Sequence, residues 1–363
     1  MTIKNSKKTI VVAMSGGVDS STVAAMLHDQ GYKVIGLTMQ LYDHGAAVQK
    51  KGSCCAGQDI YDAKMVADKL NIPHYVLNYE NNFKTSVIDD FVESYLNGET
   101  PLPCVRCNQS VKFKDMLKLA KELGADALAT GHYVRKIKTK NASELHAAID
   151  PTKDQSYFLF ATTPKQLEYL EFPLGGFNKE ETRNLALKYN LAVADKPDSQ
   201  DICFVPGGNY REVVNKIRPD AAKPGKIIHV DGYELGTHEG IINYTIGQRR
   251  GLKVAVGEPL YVTKVDQSTN IVYAGPESAL FKTRFVIKDV NWLELDNNPC
   301  DLEVVAKIRS TTAGVKAKVT MLGNNKMLVE LLGKEKAISP GQACVIYNNT
   351  KVLGGGWITK EIN

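Results

Sequence analysis

Met14-Ser15-Gly16-Gly17-Val18-Asp19-Ser20-Ser21 is the stretch that decides the fold of the N-terminal part of this chain. It follows a short apolar run, 9–14, and precedes a run of helical character, 22–30. Glycines let backbone N–H groups come close to an anion, and the first turn of a helix offers free N–H groups at the positive end of its dipole. An apolar strand, a glycine turn and a helix in this order are typical of a phosphate-binding site.

The alternative is a turn that merely caps a helix, but the strand, paired glycines, aspartate and paired serines occur here together. The stretch matches neither the Walker A pattern G-x-x-x-x-G-K-[ST] nor the dinucleotide pattern G-x-G-x-x-G. The hydroxyls of Ser15, Ser20 and Ser21 can donate hydrogen bonds to phosphate oxygens. Asp19 suits an anion site only if a cation such as Mg²⁺ lies between its carboxylate and the phosphates.

The stretch resembles the S-G-G-x-D-S loop of the ATP pyrophosphatases, or PP-loop enzymes. Those enzymes split ATP into AMP and pyrophosphate in order to activate an oxygen of the substrate. The resemblance therefore implies adenylation rather than the phosphoryl transfer of a kinase.

Length and composition set the broad class of the protein. A chain of 363 residues, 43% of them apolar, suits two or three globular domains. No run of about 18 apolar residues occurs, and the polar start, 1–8, does not look like a signal peptide. The seven cysteines, an odd number, favour a reducing, cytoplasmic setting over a disulfide framework. The net charge of +5 permits an anionic partner without requiring one.

Strands alternate with helices through the first third of the chain, which predicts βαβ units and a parallel sheet. Ligands of such sheets lie at the carboxyl ends of the strands. We therefore expect the glycine turn, Thr38-Met39 and Gly131-His132 to converge. The predicted strands are 33–40, 74–78 and 127–130, and the predicted helices are 58–70, 83–96, one from a cap at Asn108 to about Leu123, and one starting at Asn178 with Glu181.

From about Pro224 the texture changes to short β-rich runs separated by glycine, asparagine and aspartate turns, a pattern that suggests small β-barrels. We predict an α/β catalytic domain at 1–210, a central β-rich domain at 211–280 and a C-terminal β-barrel domain at 281–363. The last carries 12 lysines and arginines against 8 acidic residues, which suits a phosphate backbone or ordinary solvated surface. The predicted strands are 226–230, 241–246, 261–265, 271–274, 285–290, 304–308, 315–321, 327–332, 343–347 and 352–358.

The cysteines allow three hypotheses. Cys104-Val105-Arg106-Cys107 could be half of a zinc site completed by Cys54 and Cys55 or by Cys203, although one C-x-x-C and one adjacent pair is poor spacing. Ordinary buried thiols are the second hypothesis, which suits Cys300 and Cys344 because they lie near or within strand-like runs.

Redox or nucleophilic chemistry is the third hypothesis and the one that we favour. Cys107 has Arg106 beside it and a predicted helix start after it, and both features lower a thiol pKa below its usual value of about 8.5. Two thiolates in facing loops can pass sulfur and then form a disulfide. Cys107 and Cys203 are the candidate pair.

Eight segments, in order along nearly the whole chain, resemble the bacterial tRNA-specific 2-thiouridylases (the MnmA family). The first alone indicates only the PP-loop superfamily, whereas the C-N pair at 107–108 and the D-S-x-x-I-C-F segment at 198–204 are specific. The segments are 13–20, 100–108, 129–133, 153–159, 198–204, 245–252, 340–342 and 353–356.

This resemblance implies 2-thiolation of the wobble uridine of tRNA, with ATP and Mg²⁺ adenylating the C2 carbonyl oxygen so that AMP can leave. Cys203 would receive a persulfide from a cysteine desulfurase or a sulfur-carrier protein, and its terminal sulfur would attack C2 or be released there as sulfide. Cys107 would attack the persulfide and leave a Cys107–Cys203 disulfide for a reductant to reset. The implied nucleotide-binding residues are Ala13, Met14, Ser15, Gly16, Gly17, Val18, Asp19, Ser20, Met39 and Gly131, with Asp19 as the candidate Mg²⁺ ligand.

The resemblance also implies a surface for the anticodon stem-loop, whose target base must be extruded to be reached. Cys104 stands where some members carry an aspartate with a proposed acid–base role, which a thiol does not simply replace. Arg309-Ser310 aligns with an Arg-Tyr pair of some relatives, so a phosphate contact is implied but aromatic stacking is not. The implied tRNA-contacting residues are Leu102, Pro103, Cys104, His132, Lys153, Asp154, Gln155, Arg309, Ser310 and Gln342.

Two other functions compete with this one. Another adenylating PP-loop enzyme acting on tRNA, such as a lysidine or amide-forming synthetase, would need no cysteine pair. A non-catalytic RNA-binding protein with a relic nucleotide site would bind tRNA and release no pyrophosphate.

Overall fold

The computed structural model describes residues 8–41, 56–198, 202–254, 256–294 and 299–362. These residues form two compact units. The first unit takes the described residues up to Val87, then Cys104–Pro206 and Thr350–Val352, and the second takes Ile88–Pro103, Gly207–Asn349 and the described residues from Leu353 onward. The domain boundaries near 210 and 280 stay predictions. Within the described ranges, no helix is long and apolar enough to cross a bilayer.

The first unit is built on a five-stranded sheet in the order β3-β2-β1-β4-β7. Every neighbouring pair is parallel, which confirms the predicted α/β architecture. The apolar strand β1 lies in the middle of the sheet, where its Val11 and Val12 are completely buried. The strand order reverses between β1 and β4, where parallel sheets bind their ligands. The strands are β1 (Thr9–Ala13), β2 (Lys33–Gln40), β3 (His74–Asn78), β4 (Ala127–Ala129) and β7 (Leu170–Glu171).

Seven helical runs accompany the strands in the described part of the chain. Asn178 and Glu181 form a reciprocal capping box, which confirms the predicted start of α6. The runs are α1 (Val18–Asp29), α2 (Ala56–Leu70), α3 (Glu80–Phe83, the π-helical Lys84–Ile88 and Asp89–Leu96), α4 (Pro103–Arg106, the π-helical Cys107–Met116 and Leu117–Glu122), α5 (Pro164–Tyr169), α6 (Lys179–Lys188) and α7 (Tyr210–Ile217).

The start of α4 corrects the sequence analysis. The helix begins at Pro103, and proline is well suited to a first helical position because its missing N–H would have no partner there. Asn108 is therefore not a cap: it lies inside the helical run, buried, and its side-chain amide donates a hydrogen bond to the Phe158 carbonyl at 3.3 Å. Cys107 consequently lies one turn inside α4 rather than before it.

Two strands that the sequence analysis did not predict, β5 (Val134–Lys138) and β6 (Ser143–Ala147), form an antiparallel pair in the first unit. His146 of β6 pairs with Lys351 at the start of the last strand. The Lys351 ammonium lies 2.7 Å from a Glu144 carboxylate oxygen. This explains why residues 350–352 belong to the first unit.

The second unit is β-rich, as predicted. Strands β12, β15, β14, β13, β16 and β17 follow one another around a sheet that closes through β12 and β17, which confirms a β-barrel. The predicted strand at 241–246 is wrong, because Tyr244 donates a backbone hydrogen bond to Ile241 and closes a 3₁₀ turn, Ile241–Asn243. The strands are β8 (Gly225–His229), β9 (Glu234–His238), β10 (Tyr261–Asp266), β11 (Ile271–Gly275), β12 (Phe281–Trp292), β13 (Leu302–Lys307), β14 (Val315–Gly323), β15 (Lys326–Lys336), β16 (Ala343–Asn348) and β17 (Lys351–Ile362).

Candidate active site

The glycine turn leaves the carboxyl end of β1 and folds back against the start of α1. Gly16 has a φ of 72°, a left-handed conformation that favours glycine. The N–H of Ser15 donates to the Ser20 hydroxyl at 3.1 Å, which ties the turn to the helix. The N-cap residue of α1 is Gly17, which has no side chain that could accept hydrogen bonds from the N–H groups of the first helical turn. The N–H groups of that turn are therefore available to an anion.

The three segments expected to converge do so. The Thr38 hydroxyl at the end of β2 donates to the Met14 carbonyl at 2.8 Å. Gly131, after β4, lies so close to α1 that an added Cβ would be 2.9 Å from the Ser20 nitrogen and 3.1 Å from the Asp19 carbonyl carbon. The carboxyl ends of β1, β2 and β4 thus lie close together in the first unit.

Replacing Gly131 with alanine is expected to weaken ATP binding about tenfold, because the methyl group would displace the first turn of α1 from its anion-binding geometry. Gly176→Ala is the matched control, since an added Cβ there meets no atom within 4 Å. Calorimetric titration with ATP measures both affinities. Equal affinities for the two variants would contradict the placement of the nucleotide at this turn.

Asp19 already faces a cation. The Lys179 ammonium lies 2.7 Å from the Asp19 carboxylate, and the Tyr133 hydroxyl donates to the same oxygen at 2.8 Å. Burial holds the pKa of Tyr133 far above its usual value, so this hydroxyl keeps its proton. A cation such as Mg²⁺ was predicted beside Asp19, whereas Lys179 was not among the predicted residues.

Mg²⁺ still fits at Asp19. The carboxylate is 31% exposed, and Mg²⁺ is commonly held by one or two carboxylates together with substrate phosphates. Among the described residues, no group of three or more histidine, cysteine, aspartate or glutamate side chains is placed to hold a metal. The described thiols therefore do not form the zinc site of the first hypothesis, and Cys54 and Cys55 lie outside the described residues.

Lys196 is a second lysine that the sequence analysis missed. Its ammonium donates to the Gly16 carbonyl at 3.0 Å and pairs with Asp59 at 2.7 Å and with Asp62. Although burial alone would lower the pKa of Lys196, these two carboxylates raise it. Lys196 thus fixes the glycine turn against α2.

Three cysteines lie within electrostatic reach of one another in the first unit. Cys104 and Cys107 are one turn apart on α4, Cys104 exposed and Cys107 only 7% exposed, and Cys203 is exposed. Surrounding protein atoms raise the pKa of Cys203 to about 12, the charges of Cys107 and Cys104 add to the rise, and Lys112 opposes it. Beside Cys203, the Phe204 ring packs edge-on against Phe83 at 5.7 Å.

The expected lowering of the Cys107 pKa by Arg106 is wrong. Burial raises the pKa of Cys107, and the opposing cation is Lys112. The Arg106 guanidinium instead lies 3.4 Å from the Gln109 side-chain oxygen, and the helix N-terminus is four residues away at Pro103. Lys112 was not a sequence candidate, because its proximity depends on the helical path from Cys104 onward.

The charge of Lys112 acts on His132 as well as on the three thiols. Burial and the charge of Lys112 lower the pKa of His132 to about 3, so this ring is neutral at physiological pH. The Thr130 hydroxyl is 2.8 Å from His132 Nδ1, and the Phe113 ring packs edge-on against the imidazole at 6.0 Å. His132 directly follows Gly131, so one ammonium acts on the three thiols and on a residue of the site.

The predicted tRNA contacts of the first unit have internal partners. Lys153 pairs with Asp198 at 2.7 Å, and Asp154 accepts hydrogen bonds from the Ala148 and Ser156 N–H groups. The Gln155 side-chain oxygen accepts from the Tyr133 N–H at 2.9 Å. These bonds hold the loop that carries the three residues, and their contact with tRNA stays a prediction.

In the second unit, Arg309 and Gln342 line one cavity of about 360 Å³ with Lys336 and Thr100. Arg309 donates to the Ala337 carbonyl, and the Gln342 amide donates to the Thr100 carbonyl at 3.1 Å. Ser310 follows Arg309 and is half-buried, as is Leu102, whereas Pro103 is buried. Glu277 also lines this cavity and pairs with Lys336 at 2.9 Å, so Arg309 is left as the charge without an acidic partner in the lining. The structure thus brings two of the predicted tRNA contacts, Arg309 and Gln342, together around one cavity.

Comparison with known proteins matches three family models along the chain. They are the tRNA methyl transferase HUP domain at residues 8–207, the tRNA methyl transferase PRC-barrel domain at 211–276 and the Aminomethyltransferase beta-barrel domain at 282–358.

Curated relatives match over almost their full length. A protein of Rickettsia conorii named tRNA-specific 2-thiouridylase MnmA is 69% identical over 358 residues, which cover 98% of this chain and 96% of that protein. A protein of the same name from Rickettsia canadensis is 69% identical over 355 residues, 97% of this chain and 96% of that protein. Among solved structures, a 4-thiouridine synthetase–RNA complex with bound ATP is 17% identical, covers 59% of this chain and 51% of its own, and has a TM-score of 0.34.

Proposed function

This chain belongs to the tRNA-specific 2-thiouridylase family, and from that membership we propose a mechanism in which ATP activates a tRNA uridine and a cysteine pair delivers the sulfur. The protein is a tRNA sulfurtransferase that uses ATP. Beyond this, we assign the reaction to C2 of the wobble uridine and sulfur transfer to Cys107 and Cys203. The observation that carries the assignment is that Cys107 on α4 and Cys203 lie in the same unit as the glycine turn, and the charge of Lys112 acts on both thiols and on His132.

Activation comes first because a carbonyl oxygen is a poor leaving group. The C2 oxygen attacks the α-phosphorus of ATP, pyrophosphate leaves, and the oxygen becomes part of a good leaving group, AMP. Residues 13–20 bind the phosphates through backbone N–H groups, and Met39 and Gly131 border the nucleotide. Asp19 would hold Mg²⁺, which would supply positive charge at the phosphates.

Sulfur transfer follows. A cysteine desulfurase or sulfur-carrier protein leaves a persulfide on Cys203, whose exposure suits docking of such a donor. The terminal sulfur attacks C2, the C2–oxygen bond breaks and AMP departs. Cys107 attacks the Cys203 sulfur, so that the transferred sulfur stays on C2 and a Cys107–Cys203 disulfide forms. A dithiol reductant then returns both thiols.

The anticodon stem-loop binds around these groups. Neutral His132 and Cys104 face the extruded base, with Leu102 and Pro103 on the same segment. In the first unit, the residues assigned to tRNA contact are Lys153, Asp154 and Gln155. In the second unit, they are the cavity residues. Arg309 and Gln342, with Ser310, are assigned to the phosphate backbone. We place the reaction in the cytoplasm and keep the domain division 1–210, 211–280 and 281–363.

Alkylation of Cys203 should report its protonation. With a pKa of about 12 in the folded protein, its thiolate fraction rises about tenfold per pH unit from pH 8 to 10 without levelling off. Iodoacetamide labelling of the Cys203 peptide, followed by mass spectrometry, measures this rate. The chain unfolded in denaturant is the control, where labelling should level off above about pH 9. A plateau at that pH in the folded protein would contradict the raised pKa of this thiol.

Incubation of an unmodified tRNA transcript with the protein, ATP, Mg²⁺ and a persulfide source, a cysteine desulfurase supplied with cysteine, tests the proposed function. Mass analysis of the wobble nucleoside should give a gain that matches oxygen replaced by sulfur, with one pyrophosphate released per sulfur incorporated. Pyrophosphate release without sulfur would favour another adenylating enzyme, and neither product would favour a non-catalytic RNA-binding protein. A gain of a methyl group with S-adenosylmethionine would favour the activity that the family-model descriptions name.

A further inference from the structure

Residues 245–253 form a loop of the second unit that carries three cationic side chains, those of Arg249, Arg250 and Lys253. All three residues are exposed. Among the described residues, none of the three side chains has a hydrogen-bond or ion-pair partner. Their charges are therefore available to an anionic ligand.

Hydrogen bonds hold the backbone of this loop from two sides. The Gln248 side-chain oxygen accepts from the Thr245 N–H at 3.1 Å, and the Gln248 amide donates to the Arg250 carbonyl at 2.9 Å. The Gly247 N–H donates to the Val262 carbonyl at 2.8 Å, and the Val262 N–H donates to the Gln248 carbonyl at 2.9 Å. Because the backbone is already ordered, a ligand of the two arginines would have to order only their side chains.

The loop borders a cavity of about 400 Å³. Arg249 and Lys253 line this cavity with one acidic residue, Glu258, and with apolar residues such as Leu252 and Val256. Positive charge thus exceeds negative charge in the described lining, and Arg250 adds a further cation next to Arg249.

The same loop also borders the cavity of Arg309 and Gln342, because residues 245–247 belong to the lining of that cavity. Gly247 has a φ of 86°, and a Cβ added there would lie 2.7 Å from the Ala337 Cβ. The carbonyl of Ala337 in turn accepts a hydrogen bond from Arg309. One continuous segment therefore connects the residues already assigned to the tRNA backbone with the three cations.

Each of the two cavities contains an unusual backbone conformation. Among the described residues other than glycine, asparagine and aspartate, only Lys253 and Ala337 have a left-handed φ, of 56° and 55°. Residues with a Cβ rarely adopt this conformation, and residues that do so are concentrated at functional sites. Lys253 lines the first cavity and Ala337 the second. The strained positions thus coincide with the two ends of the segment that would bind the ligand.

We propose that Arg249, Arg250 and Lys253 bind phosphate groups of the tRNA backbone and extend the contact assigned to Arg309 and Gln342. A guanidinium presents a planar fork of donors that matches phosphate oxygens, and successive backbone phosphates offer one charge to each cation. An acidic protein surface would also attract these cations, but their continuity with the cavity assigned to tRNA favours RNA. The proposal rests on tRNA as the substrate and gives the loop a role in affinity, separate from the chemical steps.

Replacing both arginines with alanine should weaken tRNA binding. For Arg249→Ala/Arg250→Ala, the Kd of a fluorescent tRNA transcript is expected to rise at least about tenfold at about 0.15 M salt. The slope of log Kd against log salt concentration should fall by about two, one for each lost phosphate contact. Fluorescence anisotropy without ATP, over a range of KCl concentrations, measures both quantities. Arg249→Lys/Arg250→Lys keeps both charges and should retain the wild-type slope.

Lys288→Ala/Lys316→Ala is the matched control, because it removes the same charge from exposed positions of the second unit that line neither cavity. Its Kd should stay within about twofold of wild type, with an unchanged slope, since cations without a phosphate contact are largely screened by salt. Thermal unfolding within a few degrees of wild type confirms that each variant is folded. Equal changes in the two alanine variants, or no change in either, would overturn the proposal.

Thiolation assays with a cysteine desulfurase and cysteine as the persulfide source separate the remaining outcomes. The arginine-to-alanine variant should raise the KM for tRNA and leave kcat within about twofold of wild type. Slower sulfur uptake with an unchanged Kd for tRNA would overturn the proposal in favour of an acidic protein partner. A wild-type protein that makes no thiouridine would refute the proposed function, whereas the loss of salt-dependent tRNA binding in the variant would still support the phosphate site.

Discussion

Replacing Cys203 with serine should abolish sulfur insertion, lowering the rate of thiouridine formation at least about a thousandfold. A serine hydroxyl cannot carry a persulfide, whereas the nucleotide residues of the same unit are untouched. Pyrophosphate release from ATP and tRNA should therefore persist. Quantifying both products in the same reaction, by phosphate assay and nucleoside mass spectrometry, measures the split.

Cys300→Ser is the control for this prediction, because Cys300 is also exposed but lies in the second unit. It should thiolate tRNA at the wild-type rate. Wild-type thiolation by Cys203→Ser would remove the residue from the mechanism and favour direct attack of free sulfide on the activated uridine. Loss of activity in both variants would indicate a general effect of removing thiols.

Replacing Asp19 with alanine should stop pyrophosphate release, with a loss of at least about a hundredfold. The change removes the carboxylate assigned to Mg²⁺ and leaves the Lys179 ammonium with one of its two carboxylate partners, Asp198. Raising the Mg²⁺ concentration should not restore the rate, because the ligand itself is missing. A continuous pyrophosphate assay over a range of Mg²⁺ concentrations measures the effect.

Asp29→Ala on the same helix is the matched control. Asp29 is exposed at the end of α1, where its carboxylate accepts a hydrogen bond from Tyr189 at 3.1 Å. Its loss should leave pyrophosphate release unchanged. An unchanged rate in Asp19→Ala would exclude Asp19 from the activation step, and the phosphate site would then rest on the backbone N–H groups alone.

The parallel sheet could be predicted from the sequence because its inner strands β1 and β2 are largely apolar runs. The strand at 33–40 and the edge strand at 74–78 have the predicted bounds, and the glycine turn follows β1 as expected. The start of α4 could not be predicted, because prolines at 101 and 103 read as a turn while Pro103 in fact opens the helix. The strand predicted at 241–246 was wrong for a related reason, because apolar composition alone does not distinguish a strand from a buried turn.

In the candidate site, too, some residues could be predicted from the sequence and others could not. Local motifs identified the glycine turn, Gly131 and the cysteines, since each is a short pattern along the chain. The groups that set their electrostatics are remote in sequence: Lys179 faces Asp19 across 160 residues, and Lys196 reaches the Gly16 carbonyl across 180. The burial of Cys107 could not be predicted from the sequence either, and it raises the pKa of this thiol, whereas a lowered pKa was expected.

Tracing of the C2 oxygen with ¹⁸O shows whether C2 of the uridine is activated through its own oxygen. A tRNA carrying ¹⁸O at C2 of the wobble uridine would be thiolated by the wild-type protein with ATP, Mg²⁺ and a persulfide source, and the AMP would be analysed by mass spectrometry. One ¹⁸O atom is expected in the AMP for each sulfur that enters the tRNA. Unlabelled AMP accompanying thiolated tRNA would contradict it.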